Sequence, residues 1–230
     1  MKKYSAILLI SIVSSFAVAI SAQAKKDVIA ALTPYTKCEF SDDLRIVRVD
    51  RMFAGKNQPR GVETADGSKE VSRVGSYRVM IAYPEHDYYM ANIRPELSVE
   101  SKYETDKKNV IEWISNLANS DKEFSSAEGL VETSVNGFDI YNYNRRGFFF
   151  ESRKSKKNPT GGVDSVGTSV MFSDEDKTIT TFYFFNTKKP KKNPVGFNSI
   201  EEWITARERF LKTYTSCISE NRKSTKDQEE

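Results

Sequence analysis

The sequence predicts an α+β domain in which an antiparallel β-sheet of about six to eight strands carries at least two packed helices. Three observations lead to this prediction. Two segments place apolar residues at helical spacing, whereas the remaining apolar pattern has the period of strands. Short turns join the strands between those helices, and short turns make neighbouring strands antiparallel. The strand Thr178–Phe185 is apolar on both alternating faces, as expected where each face of a sheet is covered.

The first 24 residues have the layout of a secretory signal. Lys2 and Lys3 form a positive start, residues 4–20 are uncharged and mostly apolar, and Ala22-Gln23-Ala24 supplies the small residues that a signal peptidase reads. The apolar run is shorter than the roughly 20 residues of a membrane anchor. We therefore expect cleavage after Ala24 and a periplasmic or secreted protein without a transmembrane anchor. Loss of the two lysines lowers the net charge from +3 to about +1, so the overall charge indicates no particular partner.

Two cysteines follow the signal, Cys38 and Cys217. In an oxidising compartment such a pair is expected to form a disulfide, which here would join the start of the domain to its end. The alternative is a catalytic thiol, which needs a neighbouring base. The one histidine, His86, lies in a predicted turn and is expected to be a surface residue rather than a general base.

The first strands come before any helical pattern. Leu44–Val49 alternates apolar and polar residues, as a half-buried strand does. Residues 51–72 are polar and rich in turn formers. Ser76–Tyr83 and Tyr88–Ile93 are predicted strands, and we expect the second to end before Pro95 because the residue before a proline is restricted.

Two helices are predicted. The first covers roughly Asp106 to Asn119, and its apolar face consists of Val110, Trp113, Ile114, Leu117 and Ala118. The second begins with a capping box, Ser199 and Glu202, and reaches Cys217 in its last turn. Its apolar positions are Ile200, Trp203, Ile204, Leu211, Tyr214 and Ile218. We expect one domain over residues 25–220 and a disordered polar tail over 221–230.

Two hairpins are predicted between the helices. Leu130–Val135 meets Phe138–Tyr143 across Asn136-Gly137, the strongest short-range hairpin signal. Val166–Phe172 meets Thr178–Asn186 across a turn of about five residues with the sequence SDEDK.

The sequence lacks the common catalytic and cofactor motifs. It contains neither a G-x-S-x-G nucleophile elbow nor a glycine-rich phosphate-binding loop. One histidine and two distant cysteines do not make an ordinary zinc site. No cofactor and no metal are therefore expected. Asp174, Glu175 and Asp176 crowd one turn, but their spacing differs from a dedicated calcium loop, which favours a solvated turn.

The second hairpin predicts where the basic residues lie relative to the acidic turn. One basic cluster precedes its first strand and another follows its second strand, so both would lie at one end of the sheet, opposite Asp174–Asp176. The candidate anion-binding residues are Arg153, Lys154, Lys156, Lys157, Lys188, Lys189, Lys191 and Lys192. The alternative is that these are solvated loops that keep the sheet edge soluble. The clusters lack interleaved aromatic residues, which argues against nucleic acid.

Several stretches between Ser76 and Cys217 resemble a family of uncharacterised secreted bacterial proteins with a Mog1/PsbP-like α/β/α sandwich. The stretches are YPEHDYYMANIRPELSVESKYETDKKNVIEW, VNGFDIYNYNRRG, TITTFYFFN and FNSIEEWITARERFLKTYTSC. The resemblance implies a sandwich fold and a non-catalytic accessory role, and it transfers no site residue.

Together these observations predict an exported, non-catalytic interaction or accessory module of the bacterial envelope. Its partner would be an envelope protein, an anionic glycan or a lipid head group, bound through the basic loops. The alternative from another class is a secreted hydrolase that uses carboxylates in a cleft, a role that depends on spatial separation rather than on sequence spacing.

Overall fold

A computed structural model describes residues 26–40, 43–53, 62–63, 69–70, 73–83, 88–120, 125–145, 164–186 and 200–226. Helix α1 covers residues 26–32 and continues into the 3₁₀ turn Thr33–Thr36. Helix α2 is Tyr103–Ser120, preceded by the 3₁₀ turn Glu100–Lys102, and helix α3 is Ile200–Lys226. Among the described residues, no helix is long and apolar enough to cross a membrane.

Seven antiparallel strands form the main sheet, in the order β1-β4-β5-β9-β8-β7-β6. Short strands β2 and β3 pair separately. The α+β fold predicted from the sequence is therefore confirmed, with a strand number inside the expected range. The strands are β1 Arg45–Phe53, β2 Val62–Glu63, β3 Lys69–Glu70, β4 Arg73–Tyr83, β5 Tyr88–Ser98, β6 Ser125–Val135, β7 Phe138–Arg145, β8 Asp164–Ser173 and β9 Thr178–Asn186.

Helix α3 covers one face of the sheet through an aromatic cluster. Phe184 lies edge-on to Trp203, with ring centroids 5.1 Å apart, and Phe182 lies edge-on to Tyr214 at 5.8 Å. All four side chains are fully buried. Edge-to-face geometry adds to the stabilisation that burial of such large rings provides. Helix α1 joins the same core through Val28 and Leu32, and the 3₁₀ turn that follows it packs against α3.

Helix α2 covers part of the opposite face. Its buried residues Val110 and Ile114 pack with Tyr143 of β7 and with Val170 and Phe172 of β8. These strand residues alternate with neighbours that point to the α3 side, such as Ile140 and Met171. The helix lies over β6, β7 and β8, so its cover does not extend across the β4–β5 half of this face.

The β8–β9 turn, Asp174–Lys177, fastens both helices to the sheet. The Tyr103 hydroxyl of α2 donates a hydrogen bond to Asp174, at 2.6 Å. Arg222 of α3 forms an ion pair with Asp176 and donates to the Tyr35 hydroxyl, at 2.8 Å. The three acidic residues of the turn all have basic or phenolic partners, since Glu175 also lies near Arg222. We expected Asp174–Asp176 to form a solvated turn, but these residues connect α2 and α3 to the sheet.

The end of one strand, the end of one helix and the exposure of one side chain differ from the sequence predictions. Strand β5 does not end before Pro95 but runs to Ser98, because Pro95 pairs with Thr180 on the β9 side. On the β4 side the recorded pairing is interrupted between Ser76↔Glu96 and Val79↔Ile93, which accommodates a residue without an N–H.

Helix α3 continues into the segment expected to be a disordered tail. It is helical to Lys226 because Arg222 bonds the β8–β9 turn and Asn221 donates to the Pro34 carbonyl. Trp113, expected on the apolar face of α2, is instead 42% exposed. It is offset along the helix circumference from Val110 and Ile114, which the sheet covers.

The predicted disulfide between Cys38 and Cys217 is present, with the Cα atoms 5.7 Å apart. It ties the segment after α1 to the last third of α3. The Tyr214 hydroxyl reinforces the junction by donating to the Tyr35 carbonyl, at 2.6 Å. A covalent link and a buried hydrogen bond therefore hold the two ends of the domain together.

Replacing Cys38 and Cys217 together by alanine should lower the free energy of unfolding by about 2–5 kcal/mol, because the bridge spans 179 residues and restricts the unfolded chain. Urea denaturation of the oxidised protein and of the double variant measures the difference. The reduced natural protein is the control and should match the variant. Two freely alkylatable thiols in native protein would contradict the bridge.

Asp174→Asn should reduce the loss of unfolding free energy that the protein shows at acidic pH. Hydrogen bonds from Tyr103 and then from Lys107 hold the pKa of the Asp174 carboxyl below its ordinary value. A carboxyl with a lowered folded-state pKa stabilises the fold above its unfolded pKa of about 3.9, and that contribution is lost as pH falls through the folded value. Urea denaturation from pH 7 to pH 2 should show the loss in the natural protein and a smaller loss in the variant. Asp43→Asn, at an exposed position, should leave the profile unchanged.

Candidate functional site

The eight basic residues predicted to bind anions, Arg153 to Lys157 and Lys188 to Lys192, lie outside the described residues, as does His86. The hairpin on which their placement depends is present. Asp164 at the start of β8 pairs with Asn186 at the end of β9, and the connecting turn lies at the opposite end of these strands. The described strand ends Asp164 and Asn186 are therefore adjacent, at the end of these strands opposite Asp174–Asp176, and the position of the basic residues themselves stays a prediction.

The side of the sheet that carries α2 has a polar half. Tyr77, Val79 and Ile81 of β4 point into the α3 core, so their neighbours in the strand point the other way. The same alternation applies to β5 and β9, where Ile93 and Phe182 face α3. We name the resulting surface the arginine face. It consists of Arg78, Met80, Asn92, Arg94, Thr181 and Tyr183.

Two arginines lie opposite each other at the centre of the arginine face. The pairs Ser76↔Glu96 and Met80↔Asn92 have the same register, which places Arg78 opposite Arg94. Like charges at directly opposed positions destabilise a sheet unless something compensates them. Both side chains are half-buried, and the Arg78 Nε atom is buried without a hydrogen-bond partner among the described residues. A hydrogen-bond acceptor, preferably a negatively charged one, would satisfy the Arg78 Nε–H group.

The carboxylates beside these arginines are bound elsewhere. Glu96, two residues from Arg94, forms an ion pair with Arg73. Asp50, opposite Arg78 on β1, forms an ion pair with Arg48 at 2.9 Å. Among the described residues neither carboxylate forms an ion pair with Arg78. The charge of Arg78 is therefore not neutralised by either of these carboxylates.

One flank of α2 borders the arginine face. Lys107 reaches Asp139 at the start of β7, whereas the Tyr103 ring lies against Lys177, next to β9. Successive residues of an α-helix are 100° apart around its axis. Asp106 and Trp113 therefore lie on the side of Tyr103 that is away from Lys107. These two residues lie on the flank that faces β9 and β5.

The two residues on that flank differ in exposure. Asp106 is only 2% exposed, and its Oδ2 atom has no hydrogen-bond partner among the described residues. Trp113 keeps 42% of its surface exposed. On β5, the Asn92 Oδ1 atom is also buried without a donor among the described residues. The arginine face thus combines an unsatisfied cationic donor, two unsatisfied acceptors and an exposed indole.

Buried polar atoms without a hydrogen-bond partner also occur elsewhere in the described part of the chain, among them the Tyr77 hydroxyl, Thr180 Oγ1 and Arg222 Nε. A depression of about 520 Å³ is lined by Asn136, Glu175, Glu220, Arg222 and Lys223, among others, and its charges balance. No group of three histidine, cysteine or carboxylate side chains within the described ranges is placed to hold a metal ion. Burial raises the pKa of the Tyr35 and Tyr214 hydroxyls, which keeps them neutral as structural donors.

No family model, curated protein or solved structure matches this chain. The arginine face is therefore the basis on which a function can be argued.

Sequence reasoning missed the arginine face, although one signal for it was present. The strand Ser76–Tyr83 contains one arginine, and a second stands just past Ile93 where the next strand was expected to end. A charged residue inside a strand that is otherwise buried indicates a special environment. Only the register shows that the two arginines are opposite each other.

Arg78→Gln should raise the free energy of unfolding by roughly 0.2–1 kcal/mol in a buffer without multivalent anions, because it removes a cross-strand repulsion. Arg48→Gln is the matched control. It removes the same charge from the same face but breaks the ion pair with Asp50, so stability should stay level or fall slightly. Urea denaturation measures both. Destabilisation by Arg78→Gln of more than about 1 kcal/mol would mean that Arg78 supports the fold.

Proposed function

We propose that this chain is an exported, non-catalytic binding module of the bacterial envelope that recognises an anionic partner. The observation that carries the proposal is the buried Nε–H group of Arg78, which has no hydrogen-bond acceptor among the described residues and lies on a half-buried sheet face. A buried donor without an acceptor costs stability in the free protein, and a bound anion would supply the acceptor. Arginine suits the task because its planar guanidinium binds carboxylate or phosphate with two parallel hydrogen bonds.

The basic segments add a second, longer-range attraction. The strands that follow the first segment and precede the second meet at Asp164 and Asn186, so we expect both segments at that end of the sheet. Positive charge there would raise the local concentration of an anion and orient its approach to the arginine face. This arrangement supports a division of labour in which Arg153–Lys157 and Lys188–Lys192 attract the partner and Arg78 and Arg94 bind it.

Export is part of the same proposal. The layout of residues 1–24 predicts a cleaved signal, and a disulfide such as Cys38–Cys217 persists in oxidising compartments. The intact mass of protein recovered from the periplasm or the medium would then correspond to a chain that begins at Lys25.

The rival hydrolase lacks equivalent support in the described part of the chain. Glu96 is a buried carboxylate on the side of the sheet that bears α2, but Arg73 binds it as an anion. A general acid needs the opposite, an environment that keeps its carboxyl protonated. We therefore propose binding rather than hydrolysis.

Reversing Lys188, Lys189, Lys191 and Lys192 to glutamate should sharply weaken binding to immobilised heparin, used as a generic polyanion, while the melting temperature stays nearly unchanged. The matched control reverses four exposed lysines on or beside the helices, Lys37, Lys108, Lys212 and Lys223, with the same change in net charge. The salt concentration needed for elution is the measurement, and binding should fall steeply once the screening length shortens to about 8 Å. Equal losses in both variants would show non-specific attraction and refute the proposal.

A further inference from the structure

Strand β1 forms one edge of the main sheet, and its side chains are largely exposed. Among the described residues β1 pairs only with β4, whereas helices α2 and α3 both contact β6 at the other edge. Five of the seven side chains from Arg45 to Arg51 are exposed. They include Val47, which is 42% exposed, and Val49, which is 38% exposed. An edge strand of nine residues presents a row of backbone donors and acceptors to which another strand can add.

The charges of β1 are arranged symmetrically about Val49. Arg48 and Asp50 flank this valine, and both lie on the side of the sheet that bears Arg78, because Asp50 is directly opposite Arg78. The two side chains form an ion pair with each other, in which Arg48 Nε lies 2.9 Å from the Asp50 carboxylate. The Arg48 side chain is 62% exposed and that of Asp50 is 32% exposed. Both are therefore able to exchange this bond for an equivalent one to another chain.

A second copy of the same strand matches this pattern in one register. When a two-fold axis perpendicular to the sheet relates two antiparallel strands, residues directly opposite each other point to the same side. With the axis at Val49, Arg48 lies opposite the partner's Asp50, and Asp50 lies opposite the partner's Arg48. Val49 then lies opposite the partner's Val49, so two exposed β-branched side chains cover each other. An axis at Arg48, Asp50 or Arg51 would instead place identical charges opposite each other.

This pattern differs from the one that protects an edge strand. Charged residues on an edge discourage pairing when they bring like charges together. In β1 the register centred on Val49 brings opposite charges together. A bulge at Val47, where the register between β1 and β4 shifts, limits the regular ladder to the residues around Val49. The contact is therefore short, and its occupancy should depend on protein concentration.

We infer that β1 is a self-association surface, on which a second copy of this chain pairs antiparallel about Val49 and the two seven-stranded sheets join into one. The Val49 pair and two reciprocal ion pairs between Arg48 and Asp50 form the centre of the interface. Because Asp50 lies on the same side of the sheet as Arg78, both copies present the arginine face on the same side. Self-association goes beyond the proposed function and requires no anion, so a monomeric protein would leave anion binding unaffected.

Sedimentation velocity of the full exported protein measures the association, over a concentration series in low-salt buffer without multivalent anions. The natural protein should shift from monomer towards dimer as its concentration rises. Arg48→Asp and Asp50→Arg should each weaken dimerisation about tenfold, because each places like charges opposite each other twice.

An equal mixture of these two variants separates the interface from the fold. It should associate as well as the natural protein, because the acidic strand of one variant then faces the basic strand of the other. The double variant Arg48→Asp/Asp50→Arg exchanges the charges and should recover in the same way. Recovery in the mixture also shows that each variant is folded.

A cysteine at the axis tests the register. Val49→Cys should form a disulfide-linked dimer on mild oxidation with diamide, because directly opposed residues have Cβ atoms about 4.5–5.5 Å apart. Val47→Cys is the matched control and should cross-link much less, because Val47 is similarly exposed on the same strand but lies away from the axis. Cys38 and Cys217 are bonded to each other and do not compete. Non-reducing electrophoresis measures the product.

Concentration-dependent dimers, their loss in both single variants and their recovery in the mixture support the inference. A protein that stays monomeric at every concentration overturns it. A dimer that Arg48→Asp and Asp50→Arg leave unchanged also overturns it, since its interface would lie elsewhere. Loss in the single variants without recovery in the mixture has the same consequence, and so does cross-linking of Val47→Cys as strong as that of Val49→Cys.

Discussion

The hydrogen bonds and ion pairs of one four-residue turn determine where helices α2 and α3 lie on the sheet. Asp174–Lys177 receives Tyr103 and Lys107 from α2 on one side and Arg222 from α3 on the other. Charged groups at these positions must be paired if they are to be partly buried, which makes each helix end specific for this turn. Helix α2 is thereby fixed over β6 to β8. The β4–β5 half of the same face is left without that cover.

The half of this face that α2 does not cover contains features that stability alone would not select. Arg78 opposes Arg94, and Pro95 interrupts the pairing between β4 and β5 at the same place. Each feature weakens the sheet locally, by like-charge repulsion or by a missing hydrogen bond. On the opposite face, the aromatic cluster around Phe182 and Phe184 fills the space against α3. Under the proposed function, one side of the sheet would stabilise the fold and the other would bind the partner.

Salt would weaken the two proposed contributions to anion binding, that of the basic loops and that of the half-buried arginines, to different extents. Basic side chains in loops act through a screened field, so salt weakens their attraction strongly. A guanidinium that is half-buried makes direct bonds in a lower dielectric, where screening is weaker. Recognition that combines both depends on the loops for the association rate and on Arg78 and Arg94 for the lifetime of the complex.

The sequence by itself determined the fold class, the seven-strand scale of the sheet, both hairpins seen in the described residues, the two long helices and the disulfide. These follow from local periodicity, turn chemistry and the presence of only two cysteines, Cys38 and Cys217. It misplaced Trp113 because helical spacing does not tell which edge of an apolar face the sheet reaches. Only the tertiary structure shows that Asp174–Asp176 bonds to both helices and that Arg78 lies opposite Arg94. Both depend on contacts between residues far apart in the chain, and a change in strand register would have separated them without altering any local pattern.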